Sequence, residues 1–424
     1  MPVELLGEIF AWTLGDWGMM TDEEPSLVLE PLTISHVCAH WRAISTSIPM
    51  LWATLWIDRP RAAHVSMVAL WIERSRNYPL SLYIRQTDSK SCLSHPTSTE
   101  HDLTDEILAL LIPHAHRWHA VDFDFRTDAQ KSLLALPVDV AVILEHVSLN
   151  VNSWDATSAE SIQSMLYSYP SLRSAHFAIA SKQPDLAVWK RLTHLDAEPE
   201  CTWETCLDIL ASCTTLYSAK FRCSAVPDWP QTSFEQHLTL PTLLDLCVIA
   251  SRIDLTPLFD RLTLPALHAL TLDYRHVPRA LTDGVALHNL LSRSACTLGA
   301  FSLHETSRMR RDDSHYISFL ESPHMVSLRD LELHVDMTER IIECLTYDPT
   351  DAQTRFPNLS YLALRDGRWG EHVAEDKVAT MLGSRFPRLG AADLQLRLAG
   401  HECPVLPASD KFELRFELVK CLCK

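Results

Sequence analysis

Three groups of residues have the types and spacing for metal chemistry. His36 and His40 lie four apart with Cys38 between them, and on a helix that spacing brings two imidazoles within reach of one ion. A zinc hydrolase of that pattern carries Glu after the first His, to act as base, and here Val37 stands in its place. His114, His116 and His119 follow Pro113 at a helix-to-strand junction. Cys201, Cys206 and Cys213 are spaced by five and seven, with His194 upstream. Structural zinc uses paired C-x-x-C spacing, and Cys206 and Cys213 share a helical face with Ile209 and Leu210, so they read as buried thiols. Cys421 and Cys423 form an isolated pair before Lys424, which is not a usual last residue of a prenylation box. None of these sets is complete, so no metal, no cofactor and no catalytic residue is expected.

Nucleotide and hydrolase chemistry is disfavoured on similar grounds. Phosphate-cradling loops and nucleophile elbows need glycine for close backbone approach. This chain has 10 glycines in 424 residues, roughly a third of the usual share of about 7%. G-x-G-x-x-G, G-x-x-x-x-G-K-[ST] and G-x-S-x-G do not occur. The 37 Lys+Arg against 54 Asp+Glu leave a net charge of −17, which opposes a nucleic-acid partner because phosphate contacts need clustered cations. The 12 Trp mostly occupy helical stripes or strand ends, not the basic surroundings of base-stacking aromatics. The 12 Cys lack a repeating framework, as in reduced intracellular proteins. Glu4 and Glu8 interrupt the first apolar stretch, so no secretory leader is expected. No apolar run approaches the roughly 18 residues of a membrane span. The expected location is the cytoplasm, the nucleus or both.

The elements that could carry function begin with two short helices. Leu5, Leu6, Ile9, Phe10 and Leu14 recur at helical spacing after Pro2, and a second stripe runs Ile34, Val37, Cys38, Trp41, Ile44 and Ile48 up to Pro49. Two such helices bury too little apolar surface to be stable alone, and their remaining apolar faces require a partner.

The rest of the chain repeats itself. Arg355-Phe356-Pro357-Asn358-Leu359 returns as Arg385-Phe386-Pro387-Arg388-Leu389, and Leu240-Pro241-Thr242-Leu243 as Leu264-Pro265-Ala266-Leu267. Tyr169-Pro170-Ser171-Leu172 belongs with them. With that final leucine as anchor, apolar residues follow at +3 and usually +5, as in Leu267/Leu270/Leu272, Leu328/Leu331/Leu333 and Leu359/Leu362/Leu364. Weaker copies are anchored at Trp118, Leu144, Leu192, Leu216 and Leu298. The pair at +3 and +5 is the period-2 mark of a strand with one buried face, and helical stretches lie between the copies. Strand plus helix at this period predicts an α/β leucine-rich-repeat solenoid, a curved parallel sheet with helices on its convex side. Positions +2, +4 and +6 then face away from the core. They carry Asp122 and Asp124; His194, Asp196 and Glu198; Ser218, Lys220 and Arg222; Asp330, Glu332 and His334; Tyr361, Ala363 and Arg365. The expectation is a concave recognition surface, acidic in several lanes and basic at Lys220 and Arg222, or simply a face charged for solubility.

Two segments, Met1-Pro2-Val3-Glu4-Leu5-Leu6-Gly7-Glu8-Ile9-Phe10 and Pro31-Leu32-Thr33-Ile34-Ser35-His36-Val37-Cys38-Ala39-His40-Trp41-Arg42, together resemble an F-box. Ile48-Pro49-Met50-Leu51-Trp52, Trp71-Ile72-Glu73-Arg74-Ser75-Arg76 and Leu111-Ile112-Pro113-His114-Ala115-His116-Arg117-Trp118 continue the likeness, to a fungal F-box family, over about the first 125 residues. Met1 replaces the family's leucine before the proline, and the inter-helix loop is long. The resemblance implies an F-box over residues 1–58, followed by a repeat domain over 59–424. It implies binding of a Skp adaptor through Pro2, Leu5, Leu6, Ile9, Val37, Cys38 and Trp41, and through the adaptor a cullin. The chain would then be the non-catalytic substrate-recognition subunit of an SCF-type ubiquitin ligase, with an unknown protein target on the repeats. The alternative is an interaction scaffold that keeps the F-box fold outside a ligase.

Overall fold

A computed structural model describes residues 3–13, 31–86, 98–125, 131–134, 136–137, 139–150, 154–177, 186–225, 236–275, 284–306, 313–348, 355–367, 372–385, 388–396 and 413–418. Pro2 therefore lies outside the described residues. The chain divides into two compact units, Met1–Val188 and Trp189–Lys424. Both are α/β, with parallel strands alternating with helices.

In the first unit, β1 (Thr54–Asp58), β2 (Leu80–Arg85), β3 (Trp118–Asp124), β4 (His146–Asn150) and β5 (Ser174–Phe177) lie side by side in sequence order, all parallel. Helices Val3–Thr13, Pro31–Val37 and Ala39–Ser47 precede them. The last of these is fastened to the sheet by tryptophans. Trp52 donates its indole N–H to Ser45 O at 2.8 Å and meets the Trp71 ring edge-on at 4.8 Å. Trp71 in turn donates to Thr54 O at 3.0 Å, at the start of β1. A buried indole needs such an acceptor, since an unpaired N–H costs about 1–3 kcal/mol.

The second unit holds β6 (His194–Cys201), β7 (Ser218–Ser224), β8 (Leu238–Thr239), β9 (Asp245–Ser251), β10 (Leu262–Thr263), β11 (Ala269–Arg275), β12 (Ala300–Thr306), β13 (Asp330–Val335), β14 (Tyr361–Asp366), β15 (Ala391–Leu396) and β16 (Glu413–Leu418). β8 and β10 form a small parallel pair of their own. The others make one parallel sheet in sequence order. Alternating burial along β6, β11 and β15 puts every second side chain in the core, as the period-2 pattern requires.

The repeat anchors Leu172, Leu192, Leu216, Leu243, Leu267, Leu298, Leu328, Leu359 and Leu389 are all buried, each contributing about 1.5–3 kcal/mol. A tight turn sets several of them in place. The anchor N–H donates to the carbonyl three residues back in Leu172→Tyr169, Leu267→Leu264 and Leu359→Phe356. Pro170, Pro265 and Pro357 fill the first central position of those turns, where their fixed φ is already correct. Just past the anchor, one carbonyl accepts two N–H groups from the following unit. Thr193, Tyr217, Leu244, His268, Gly299, Arg329 and Ser360 all do so, at 2.7–3.2 Å. At Gly299 a Cβ would sit 2.0 Å from the His268 ring, so the rung needs glycine there. A hydroxyl just before the anchor adds a second tie. Thr215 donates to Leu192 O, Thr242 to Leu216 O and Ser327 to Leu298 O, at 2.7–2.9 Å.

On the helical side, arginines close the ends of preceding units. Arg293 donates to Phe259 O and Leu262 O, and buried Arg385 donates to Leu345 O, Phe356 O and Arg355 O. In the first unit Arg117 donates to Tyr78 O and to the Ser75 hydroxyl, just after helix Ala62–Ser75. These bonds tie helix ends and loops of one unit to the next, although Phe356 O also accepts the Leu359 N–H and Phe259 O the Arg261 N–H. Among the described residues no helix is long and apolar enough to cross a membrane.

Candidate interaction surfaces

Helix Val3–Thr13 has two apolar faces. Leu6 and Phe10 turn inward, Phe10 at 1% exposure with its ring 4.9 Å from that of Trp41. Gly7 lets the helix approach closely, since a Cβ there would lie 3.0 Å from Ile48 Cδ1. Leu5, Ile9 and Trp12 form the opposite stripe at i, i+4 and i+7, and they are 54%, 45% and 83% exposed. Val3 and Val37 are exposed as well. Scattered surface apolar residues are ordinary, but an ordered stripe of three on one short helix is a candidate interaction site.

The expected adaptor contacts therefore separate. Leu5, Ile9 and Val37 face solvent, and Leu6 belongs to the core. Trp41 is half-buried against Phe10. Cys38 is exposed and acts locally, its Sγ accepting the Trp41 backbone N–H at 3.4 Å to cap helix Ala39–Ser47. His36 and His40 are both exposed. Trp12, absent from the expected contacts, is the most exposed apolar side chain of the stripe. Its i+7 relation to Leu5 was available in the sequence.

The second surface is the sheet face opposite the core, described separately in each unit. In the first unit Trp56 stacks on Tyr83 with ring centroids 5.2 Å apart, and the Arg85 guanidinium lies 5.3 Å above the Trp56 ring. Arg85 pairs with Asp122 at 3.1 Å. Asp122 also accepts from the Ser148 hydroxyl at 3.1 Å, and that hydroxyl lies 3.0 Å from His176 Nδ1. Burial and the Asp122 charge push the Tyr83 phenol up to about 12. Asp122 and Ser148 are adjacent in register on β3 and β4, whereas Asp124 is half-buried beside Asn150. A serine lying between Asp and His is not the order of a nucleophilic triad, in which the imidazole lies between the other two.

In the second unit the +4 positions align as one lane across the strands, from Asp196 and Lys220 through Cys247, Thr271, Ser302, Glu332 and Ala363 to Asp393. The charges along it are paired. Lys220 bonds Asp196 at 3.0 Å and Arg222 bonds Glu198 at 3.3 Å. The basic lane expected at Lys220 and Arg222 is thus neutralised by the neighbouring strand. Glu332 accepts from Ser302 at 3.0 Å and lies 3.4 Å from His304 and 3.8 Å from Arg365. Arg365 also reaches Asp393 at 3.6 Å. Its side chain spans the strand between two acids, and Ala363 beneath is fully buried. His334 is half-buried, and desolvation with nearby His304 and Arg365 lowers its pKa. Asp330 and Tyr361 remain exposed. The face is zwitterionic, with acidic and basic groups held in register.

A histidine from the Pro113–His119 segment also reappears here. His119, Glu145 and His146 bring one donor atom each within 4.8 Å of one another, all half-buried. Glu145 belongs to the following unit, joined through its N–H to the His119 carbonyl at 2.9 Å. His114 and His116 lie apart from this group, their rings 6.4 Å from each other. No family model matches the chain, and no curated protein matches it.

Proposed function

We propose that this chain is the substrate-recognition subunit of an SCF-type ubiquitin ligase, an F-box protein with degenerate leucine-rich repeats. The helices before β1 dock on a Skp adaptor, which connects them to a cullin. The sheet face of the repeats holds a target protein. Its contribution is positional: a tethered target meets the conjugating enzyme at high effective concentration, without chemistry from this chain.

One observation carries the reading. The helix Val3–Thr13 has already satisfied its own core through Leu6 and Phe10, yet it presents Leu5, Ile9 and Trp12 outward. Fold stability does not require that second stripe, whereas docking does, because aromatic and aliphatic anchors concentrate interface energy. The F-box-like motif over the same residues supports the same partner.

The test is capture of recombinant Skp adaptor, alone and joined to a cullin, by the full chain. Leu5→Asp/Ile9→Asp should bind at least about a hundredfold more weakly, the equivalent of roughly 3 kcal/mol, with an unchanged melting temperature. Equal capture by both proteins removes the assignment. Capture of the adaptor without the cullin supports the scaffold reading instead.

A further inference from the structure

Cys201 closes β6, Thr202 then caps the helix Trp203–Ser212, and Cys206 sits in that helix's first turns. The following strand, β7, returns Cys223 directly opposite Cys201 in parallel register. Thr202 fixes the helix start twice, its hydroxyl accepting from Thr205 N at 3.2 Å and its carbonyl from Cys206 N at 3.1 Å. Strand end, helix start and next strand therefore deliver three sulfurs to one point. Cys201 Sγ lies 3.1 Å from Cys206 Sγ, which lies 3.3 Å from Cys223 Sγ, and all three fall within 4.8 Å of one another. Each residue is 0% exposed. Cys213, on the same helix, is also buried but stands outside the group.

We propose that Cys201, Cys206 and Cys223 form a binding site for a soft, low-coordinate metal ion of the copper(I) type, held by three sulfurs without water. This site is independent of adaptor docking. The donor set decides the metal class. Zinc takes four ligands in closed sites and, in open ones, three plus water. Among the described residues the group supplies three side-chain donors, and its complete burial leaves no open side for water. Soft thiolate donors favour copper(I) and zinc, and three of them without water leave copper(I) as the ion of choice. The Arg222 carbonyl, 3.4 Å from Cys201 Sγ, accepts a hydrogen bond from that thiol while it is protonated. The size is suitable too. Three sulfurs bound at about 2.3 Å in a plane lie about 4 Å apart, so the two close contacts open by under about 1 Å. Each sulfur that coordinates releases its proton to bulk water, and the copper stays at +1, so no oxidant or reductant is needed. The bound ion ties β6, the helix and β7 together and stabilises the folded chain by mass action.

The experiment uses the full-length protein, reduced and anaerobic, with Cys421→Ser/Cys423→Ser as background to remove the terminal thiols. Copper(I) is supplied as the complex of a coloured chelator. The expected result is one copper withdrawn per chain, sulfur-only donors by X-ray absorption, protection of Cys201, Cys206 and Cys223 from alkylation, and a raised melting temperature. Cys206→Ala should lose the uptake and Cys213→Ala should keep it. If Cys206→Ala fails to fold, the parent protein decides by its stoichiometry, donor type and alkylation map. No uptake against the chelator, nitrogen or oxygen donors, protection of other cysteines, or equal uptake by folded Cys206→Ala would each overturn the proposal. Tighter retention of zinc than of copper(I) by the same three thiols would overturn the metal assignment.

Discussion

Replacing Arg385 with Met should destabilise the second unit by about 3 kcal/mol. The guanidinium is 3% exposed and donates to Leu345 O at 2.6 Å, Phe356 O at 3.0 Å and Arg355 O at 3.4 Å. It also lies 5.7 Å from the Phe356 ring and 5.9 Å from that of Tyr347. Burial pulls its pKa down to about 10, which leaves it charged at neutral pH. Met fills similar volume and removes the cost of burying a cation, a gain of about 1 kcal/mol. Against this stand the Leu345 carbonyl, which loses its guanidinium donor in a dry site at about 1–3 kcal/mol, and the charge-assisted bond to Phe356 O, which keeps the Leu359 N–H, at about 1.5–3 kcal/mol, with Arg355 O more distant. The second unit has 424 − 188 = 236 residues, and a unit of this size loses about 2–4 °C per kcal/mol. The melting temperature should therefore fall by about 6–12 °C in thermal unfolding followed by circular dichroism. Arg388→Ala is the control. Arg388 is exposed and donates to the Tyr347 hydroxyl, so its loss should cost under about 0.5 kcal/mol. An Arg385→Met protein melting within about 2 °C of the parent would refute the idea that helix-end arginines hold these units together.

Two further outcomes follow from the same coordinates. Phe10→Ala should cost about 3 kcal/mol, seen as lost amide protection across the N-terminal helices, whereas Ile9→Asp should change protection by under about 0.5 kcal/mol; the reverse order would mean the two faces are misassigned. The Glu332 carboxyl is held below its ordinary value of 4.5, first by its hydrogen bond with His304, with Ser302 and Arg365 adding to the effect. A depressed carboxylate contributes stability that is complete above its unfolded pKa and is lost as pH falls through the lower folded one. Because the group is half-exposed, Glu332→Gln should shrink the loss of unfolding free energy between neutral and acid pH by at most about 1 kcal/mol, measured by urea titration on both sides of that window.

The buried half of this fold is legible because it depends on periodicity alone. The leucine anchors, their +3 and +5 partners and the parallel strands they imply are all where the spacing puts them. What escapes is anything set by a neighbouring unit. Lys220 and Arg222 read as a basic lane until the neighbouring strand brings Asp196 and Glu198 to them. Cys206 and Cys213 read as helix-face companions, whereas Cys206 meets Cys201 and Cys223, the latter 17 residues away. The N-terminal stripe of Leu5, Leu6, Ile9 and Phe10 is too wide for sequence to say which half faces inward. The structure answers by packing Phe10 on Trp41. The doubly accepting carbonyls and the Ser/Thr hydroxyls before the anchors supply ties that no residue-type signature announces.

Those carbonyls run in one direction: each unit offers an oxygen and its successor fills it. A deletion from the downstream end therefore leaves one doubly accepting carbonyl and one strand edge without their donors at the new boundary, whatever the number of units removed, while every earlier joint keeps its own. Loss is confined to the cut, like a zip fastener shortened from its open end, and shortened or lengthened versions of the array face the same toll at their last tooth.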